Sequence, residues 1–377
     1  MIEQIRNSCK KIFLPFRTRY LKKRYNILES KIKIDKPSFV FCTYSSKIDP
    51  LILSAATKTN LHFVASKNYE FPAFDYLKKM FGVVCANALE PDAVAMRKID
   101  KIVRDGGSVA FFPFENAFSH GEIKNIYAKI VKKYRIAVYI VGVFGSDFVL
   151  PFWAKQKNNT SIDIKVLDYF DKSFVDVSSV KKICARMSSS LNACTSCSNE
   201  FRCTGKCPAE NVEKLIFACP ECGALCTIKS KKDKFWCGAC GEYATFLQDG
   251  SILSSHFKTL EEWKNWQSQF ADEIIERRRA NDEVILHDIG FKLLDIGAKK
   301  HKKLSGFFET FLFPDRLLVA NKKFRKEIKL EDILDVCVDA KNALYIYAKS
   351  AKIKLLPTIC ISCFKYVEFV GKLKKRC

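Results

Sequence analysis

The stretch that decides the fold of the first half of this chain is Phe41-Cys42-Thr43-Tyr44-Ser45-Ser46-Lys47-Ile48-Asp49-Pro50. It continues a short apolar run that begins at Ser38 and is typical of a buried strand. Asp49 and Pro50 are residue types that begin helices. The stretch therefore predicts a strand that ends and runs into a helix, with an aspartate five residues after Tyr44.

The same pattern of strands and helices continues from Pro37 to about Asp176. Short apolar segments alternate with helical segments such as Asp92–Arg104 and Tyr127–Tyr134. The strand-like segments are Ser38–Thr43, Leu61–Ser66, Gly82–Ala86, Ser108–Pro113, Ala137–Phe144 and Ser161–Leu167. This alternation predicts an α/β domain, a mixed sheet with flanking helices.

Four further blocks follow the opening stretch in order. They are Phe63-Val64-Ala65-Ser66-Lys67, Phe81-Gly82-Val83-Val84, Ser108–Gly121 and Phe144–Trp153. Together the blocks resemble the bacterial, firmicute-type 1-acyl-sn-glycerol-3-phosphate acyltransferase family. Members of that type also carry a cysteine ribbon, a helix similar to Thr259–Gln267 and a C-terminal β module. The resemblance implies an acyltransferase-like fold and a reaction of phospholipid biosynthesis, in which an acyl group passes from a thioester donor to the hydroxyl of a lysophospholipid.

The residues that would perform this reaction are replaced. The attacking hydroxyl needs a base, which the family supplies as a histidine oriented by an aspartate, and the acceptor phosphate needs arginines. Tyr44 occupies the histidine position and Asp49 the aspartate position, while the arginine positions hold Asn87, Ala117 and Phe152. A phenol with a pKa of about 10 stays protonated at neutral pH. The resemblance therefore implies the fold of the family with impaired or lost acyl transfer.

Three interpretations of this site remain open. The first is an inactive domain, a pseudoenzyme retained as a lipid- or protein-binding scaffold. The second keeps activity with His120 as a relocated base that faces Asp49, and the third leaves residual transfer to Tyr44, Ser45 or Ser46. By the resemblance, the candidate catalytic residues are Tyr44, Asp49, Glu115 (one place after Phe114, which holds the glutamate position of the family) and His120, and the candidate substrate-binding residues are Asn116, Ser119 and Gly121.

Cysteine spacing predicts a metal site further along the chain. Cys219, Cys222, Cys237 and Cys240 form C-x2-C-x14-C-x2-C, and a glycine follows each pair. Four thiolates around one tetrahedral ion leave no position for water, so this pattern predicts a structural zinc site. A module of about thirty residues has too small a core to fold without such an ion.

A second and less regular set of cysteines lies upstream. Cys194, Cys197, Cys203 and Cys207 are compatible with a second metal ion or with clustered free thiols, and the sequence leaves both open. Zinc ribbons often bind nucleic acid, so a nucleic-acid-binding protein is a further functional hypothesis. The lysines of Lys229–Lys234 sit at a predicted hairpin tip, where solvated charge is the usual explanation, and we therefore rank nucleic acid behind a membrane partner.

The last part of the chain is rich in short strands. It follows an amphipathic helix, Thr259–Arg279, and ends in a helix over Ser362–Leu373. The strand-like segments are Val284–Leu286, Phe291–Ile296, Phe307–Phe313, Arg316–Ala320, Leu334–Val338, Leu344–Ala348 and Ile353–Leu356. An all-β segment closed by one helix is similar to a small β-sandwich of the pleckstrin-homology type.

Charge and hydropathy point to a peripheral membrane protein. The chain of 377 residues has 64 Lys and Arg against 41 Asp and Glu, a formal charge of +23 that favours an anionic partner such as a membrane surface. Residues 1 to 28 alternate basic and bulky apolar residues, which suits a helix in a membrane interface or an amphipathic helix packed on the domain. The chain shows no apolar run of about 20 residues and no signal peptide, so we expect a cytoplasmic location.

These patterns divide the chain into five segments. A basic amphipathic segment, 1–36, precedes the acyltransferase-like domain, 37–183. A cysteine-rich zinc-ribbon module, 184–252, a linking amphipathic helix, 253–282, and a β-rich pleckstrin-homology-like domain, 283–377, follow. The boundary at 184 rests on a change to Ser, Cys, Asn and Thr.

Overall fold

The computed structural model describes most of the chain in two compact units. One unit comprises residues 1–152 and 156–205, and the other comprises residues 153–155 and 206–377. The residues that the structure describes are 18–28, 32–35, 37–57, 61–66, 84–86, 93–113, 123–151, 153–154, 157–193, 208–279, 283–297, 302–339, 342–359 and 361–376.

The first unit is built on a mixed sheet of six strands. The strands are β1 (Ser38–Cys42), β2 (Leu61–Ser66), β3 (Val84–Ala86), β4 (Ser108–Phe111), β5 (Ala137–Phe144) and β6 (Asp163–Phe170). Their order is β3-β2-β4-β1-β5-β6, in which β1 to β5 are parallel and β6 is antiparallel to β5. The predicted mixed α/β sheet is thus present. Its last strand lies a few residues later than predicted.

Helices cover the two faces of this sheet because the side chains of its central strand alternate. Phe39 and Phe41 of β1 are buried in one apolar cluster, whereas Val40 and Cys42 are buried in the other. The helices of this unit are α1 (Asp49–Ala56), α2 (Ala93–Arg104), α3 (Asn125–Tyr134), α4 (Ser146–Val149), α5 (Lys172–Val177) and α6 (Val180–Asn192). Helix α1 contributes Ile52 to one cluster, and α2 contributes Ile99 to the other.

Helix α6 runs through the boundary that the sequence predicted at residue 184. Ile183, Met187 and Leu191 recur at helical spacing and are buried in the core of the first unit. Ser188, from the Ser-rich run that marked the predicted boundary, is also buried and accepts a hydrogen bond from the backbone of Ile123 at 3.0 Å, so the run is part of this helix. Its start is capped by Ser179, whose hydroxyl accepts a hydrogen bond from the backbone of Lys182.

The described part of the basic N-terminal segment packs on the first unit. Residues 18–25 are helical. Leu21 and Ile27 are buried in the same cluster as Val40, whereas Tyr20 is exposed. This packing favours the amphipathic helix that lies on the domain. Residues 1–17 lie outside the described residues.

The second unit begins with a small antiparallel sheet that carries the cysteine pairs. Its strands are β7 (Ile228–Lys231), β8 (Lys234–Cys237), β9 (Tyr243–Phe246) and β10 (Ile252–Leu253), in the order β10-β9-β8-β7. Helix α7 (Leu260–Arg279) follows directly. Its Trp263 donates a hydrogen bond to the carbonyl of Ala218 at 3.0 Å, and Gln267 bonds to the backbone of Phe217 and Leu215. The predicted linking helix therefore packs on the cysteine module.

The remainder of the second unit forms one sheet of eight strands closed by helix α8 (Phe364–Arg376). The strands are β11 (Leu286–Asp295), β12 (Lys302–Lys303), β13 (Phe308–Leu312), β14 (Arg316–Asn321), β15 (Phe324–Lys329), β16 (Ile333–Val338), β17 (Leu344–Ala348) and β18 (Lys352–Pro357). Two predicted strands are one continuous strand, β11, whose pairing shifts register near Gly290, a residue at φ 85°. Strand β15 was not predicted, because its sequence FRKEIK is mostly charged.

Candidate functional site

The opening stretch lies at the edge of the first sheet where the parallel strands end. Residues from the carboxyl ends of adjacent parallel strands meet at such an edge, which is where α/β proteins bind ligands. Tyr44 follows β1 and Phe112 follows β4, and their ring centroids are 5.8 Å apart. Thr43 joins this edge to β5, since its backbone N–H donates to Val141 and its hydroxyl accepts from the backbone of Val143, both at 3.0 Å.

Asp49 holds the turn between β1 and α1. Its Oδ2 accepts hydrogen bonds from the backbone N–H groups of Ser45, at 2.6 Å, and Ser46, at 3.0 Å. The hydroxyl of Ser46 in turn donates to the carbonyl of Leu150 at 2.7 Å. The carboxyl group therefore stabilises the loop that carries Tyr44, and this structural role requires a hydrogen-bond acceptor at position 49 but no histidine at position 44.

The environment of Asp49 makes its ionised form costly. The residue is fully buried, and burial raises its pKa from 3.8 to about 7. The hydroxyl of Ser146 and the two backbone bonds oppose this rise, and the nearby charge of Asp147 adds to it. Among the described residues, neither Asp49 Oδ1 nor the buried Ser146 Oγ has a hydrogen-bond partner of normal geometry. These two atoms belong to the first residues of α1 and α4, which follow the adjacent strands β1 and β5.

Lys47 is the cation of this loop. It is half-buried, and this burial lowers its pKa. Lys47 and Ser146 were not among the predicted site residues, although both lie in the sequence blocks that carry the resemblance. Their positions after the ends of β1 and β5 are the signal that could have identified them, because strands that pair side by side bring their following residues together.

Several predicted site residues lie outside the described residues. They are Glu115, Asn116, Ser119, His120 and Gly121, together with the altered positions Asn87, Phe114, Ala117 and Phe152. The structure thus brings Tyr44 and Asp49 to one loop. The relocated-base hypothesis for His120 stays a prediction.

The four cysteines of the second unit come together as their spacing predicted. The sulfur atoms of Cys219, Cys222, Cys237 and Cys240 all lie within 4.8 Å of one another. The distance from Cys219 to Cys240 is 3.6 Å and that from Cys222 to Cys237 is 3.8 Å. Four sulfurs about 2.3 Å from a tetrahedral metal ion would be roughly 3.8 Å apart, so the residues fit such an ion.

Two tight turns shape this site. Gly223 and Gly241 follow the two cysteine pairs at φ 67° and 85°, and their N–H groups each donate at 3.0 Å to the carbonyl of Cys219 and Cys237. A side chain is disfavoured in this left-handed region, and a Cβ on Gly223 would come within 3.1 Å of the ring of Phe270. Thr227 Oγ1 lies 3.1 Å from the sulfur of Cys237 and is the nearest polar group behind that ligand. The other predicted set, Cys194, Cys197, Cys203 and Cys207, lies outside the described residues.

Comparisons with known proteins give distant structural similarities. No protein-family profile matches the chain, and no curated protein sequence is significantly similar to it. The crystal structure of the 1-acyl-sn-glycerophosphate acyltransferase PlsC from Thermotoga maritima is similar at 16% identity and a TM-score of 0.41, over 50% of this chain and 80% of that chain. The Vps36 N-terminal PH domain (12% identity, TM-score 0.21) covers 25% of this chain and 80% of its own. The N-terminal PH domain of human ARAP2 (10%, 0.19) covers 24% and 80%. These TM-scores are low, so the chemistry of this chain rests on its own residues.

Proposed function

We propose that this protein is a peripheral membrane protein whose acyltransferase-like domain no longer transfers acyl groups. The observation that carries the proposal is the burial of Asp49 and the hydrogen bonding of its carboxyl group. Asp49, the acidic residue that follows β1, is fully buried and has one carboxyl oxygen bound to two backbone N–H groups.

The chemistry of acyl transfer explains why this state matters. A hydroxyl nucleophile must lose its proton as it attacks a thioester, and the base has to lie within hydrogen-bond reach of that proton. The raised pKa of Asp49, about 7, would suit a base, but its side chain has no exposed surface. The neighbouring phenol of Tyr44 is a poor base at neutral pH. These two facts support loss of the reaction in the part of the site that the structure describes.

A binding role is supported by the charge of the chain. A formal charge of +23 favours association with anionic surfaces. No helix among the described residues is long and apolar enough to cross a bilayer. We therefore propose attachment to the surface of an anionic membrane.

We also propose that the four-cysteine site binds zinc. A closed set of four thiolates is the usual ligand set of structural zinc, and it offers no position for a substrate. Cys219, Cys222, Cys237 and Cys240 would hold the ion and thereby join the two tight turns of the ribbon. The second unit would then be a metal-stabilised support and would take no part in chemistry.

An acyl-transfer assay tests the loss of activity. Purified protein is supplied with acyl-CoA or acyl-carrier protein and with lysophosphatidate, and the diacyl product is measured by mass spectrometry. We expect the same background rate for the wild type and for Asp49→Asn. Product formation by the wild type that this substitution abolishes would overturn the proposal.

Vesicle flotation tests the membrane role. We expect the protein to float with vesicles that contain phosphatidylglycerol and to stay in solution with phosphatidylcholine alone. Raising the salt concentration should weaken the attachment, because exposed charges are screened beyond about 8 Å at 0.15 M. Equal flotation with both vesicle types, or flotation with neither, would contradict an electrostatic membrane role.

A further inference from the structure

A buried polar cluster lies in the second unit, away from the four ligand cysteines. Its centre is Lys365, at the start of α8, with a side chain that is 3% exposed. Its Nζ lies 2.8 Å from Asp288 Oδ1 and 3.0 Å from the sulfur of Cys226. Cys226 is therefore not an isolated thiol, because a buried ammonium group donates a hydrogen bond to it.

The rest of the cluster fixes this ammonium group. Asp288 Oδ2 accepts a hydrogen bond from the hydroxyl of Tyr366 at 2.6 Å, and the same hydroxyl lies 2.6 Å from Thr310 Oγ1. Both oxygens of Asp288 are thus engaged. Burial alone would lower the pKa of Lys365, but Cys226 and Asp288 outweigh burial and raise it, so the cation persists at neutral pH.

Cys226 itself has three unusual properties. It lies close in sequence to Cys222 but does not belong to the four-sulfur group. The residue is partly exposed, whereas the lysine beside it is buried. Its backbone has φ 57°, a conformation that favours Gly or Asn, and its N–H donates to Phe217 at 2.7 Å. The chain therefore holds a thiol at a turn where a cysteine is not the residue that the backbone prefers.

We propose that Cys226 is a modification site, a thiol whose oxidation by hydroperoxides is assisted by Lys365. The Nζ of Lys365 lies 3.0 Å from the sulfur, where its ammonium group donates a hydrogen bond to the thiol and can do the same for an oxygen added to it. Cys42, Cys184 and Cys363 are buried, and the four ligand cysteines are committed to the metal site. Among the described cysteines, this leaves Cys226 and Cys337 as partly exposed thiols outside the metal site.

The reaction needs one hydroperoxide and no other reactant. The sulfur of Cys226 attacks one peroxide oxygen, so an S–O bond forms as the O–O bond breaks. Sulfur loses two electrons, and the second peroxide oxygen departs as an alkoxide, or as hydroxide from hydrogen peroxide, which takes up the thiol proton and leaves as an alcohol or as water. Cys226 becomes a sulfenic acid. The ammonium of Lys365, 3.0 Å from the sulfur, is placed to donate a hydrogen bond to the new oxygen.

The test uses full-length, metal-loaded protein treated with dilute hydrogen peroxide and then with dimedone, a probe of sulfenic acids. Peptide mass spectrometry gives the rate of adduct formation at each cysteine, and metal content is measured on the same samples. We expect Cys226 to react roughly tenfold faster than Cys337, because Lys365 assists the first thiol. Equal rates at the two thiols would overturn the proposal.

A matched pair of variants separates the effect of Lys365 on the oxidation of Cys226 from its effect on folding. Lys365→Met alone would leave Asp288 buried and unpaired, so Lys365→Met is combined with Asp288→Asn, while Lys365→Arg keeps the cation. With metal content and circular dichroism unchanged, we expect the Cys226 rate to fall roughly tenfold in the double variant and to persist in Lys365→Arg. A correctly folded double variant with the wild-type rate would contradict assistance by Lys365.

Discussion

The two candidate sites of this protein differ in how completely they keep the residue types that their sequence patterns require. In the second unit the spacing, the residue types and the geometry agree, and four sulfurs come within 4.8 Å of one another. In the first unit the strand, the turn and Asp49 are in place, but Tyr44 stands where the resemblance implies a histidine. A structural metal site loses its fold when a ligand changes. An acid–base site can lose its base and keep its fold, because Asp49 also holds the turn through Ser45 and Ser46.

The largest expected effect is loss of a metal ligand. Cys237→Ser should abolish metal binding and unfold the ribbon, because metal binding contributes about 10 kcal/mol or more to the folding of small zinc modules. Metal content and near-ultraviolet circular dichroism measure the two effects. Cys337→Ser, outside the metal site, is the control and should leave both unchanged. A folded Cys237→Ser protein without metal would show that the ribbon does not depend on the ion.

The next effect concerns the pH dependence of Asp49. Its pKa is about 7 in the folded state and 3.8 ordinarily, so the folded state binds the proton more tightly and stability falls as pH rises through this window. Relative to Asp49→Asn, the wild type should lose about 3 kcal/mol of unfolding free energy between pH 5 and pH 8. Urea denaturation at the two pH values measures this difference. The exposed Asp105→Asn is the control, and pH profiles of wild type and Asp49→Asn that run parallel would contradict a raised pKa.

A smaller effect, on metal affinity, is expected from Thr227, which contacts Cys237. Thr227→Val removes the hydroxyl 3.1 Å from the sulfur of Cys237 and should weaken metal affinity by roughly 10- to 100-fold, as is typical for groups that support a ligand. Competition with a chromogenic chelator measures the affinity. Thr245→Val in β9 is the matched control. Equal metal affinities for the two variants would show that Thr227 does not support the metal site.

The smallest effect is expected at the base position. Tyr44→His restores the histidine that the resemblance implies, but we expect no acyl transfer. The reason is that Asn87, Ala117 and Phe152, at the arginine positions implied by the resemblance, supply no cation for a phosphate. The assay described above measures product formation. Transfer by Tyr44→His well above background would show that the base was the only missing part. The site of the first unit would then be complete apart from one residue, as the cysteine site is complete.

Sequence reasoning succeeded where function depends on spacing along the chain. The cysteine pairs are close in sequence, and each pair with its glycine forms one turn, so local pattern predicts the whole site. The apolar run that begins at Ser38 likewise predicted a buried strand, which is β1. Sequence reasoning was less successful where a polar sequence adopts a regular structure. Strand β15 was not predicted, and the change of composition that was taken as a boundary at 184 lies within α6.

Interactions between distant residues could not be predicted in this way. Ser146 lies beside Asp49 because β1 and β5 are neighbours, and Lys365 contacts Cys226 across 139 positions of the chain. No local propensity encodes either contact. Each depends on which strands pair and on which helix covers them.

The sequence by itself determined the α/β order of the first unit, the four cysteines that cluster in the second unit and the absence of a histidine at position 44. These features follow from residue type and short spacing. Only the tertiary structure decided that Asp49 is buried with a pKa of about 7 and that Cys226 accepts a hydrogen bond from a buried lysine. Burial and long-range packing set the dielectric surroundings and the partners of a charged group, and both arise only when the chain has folded.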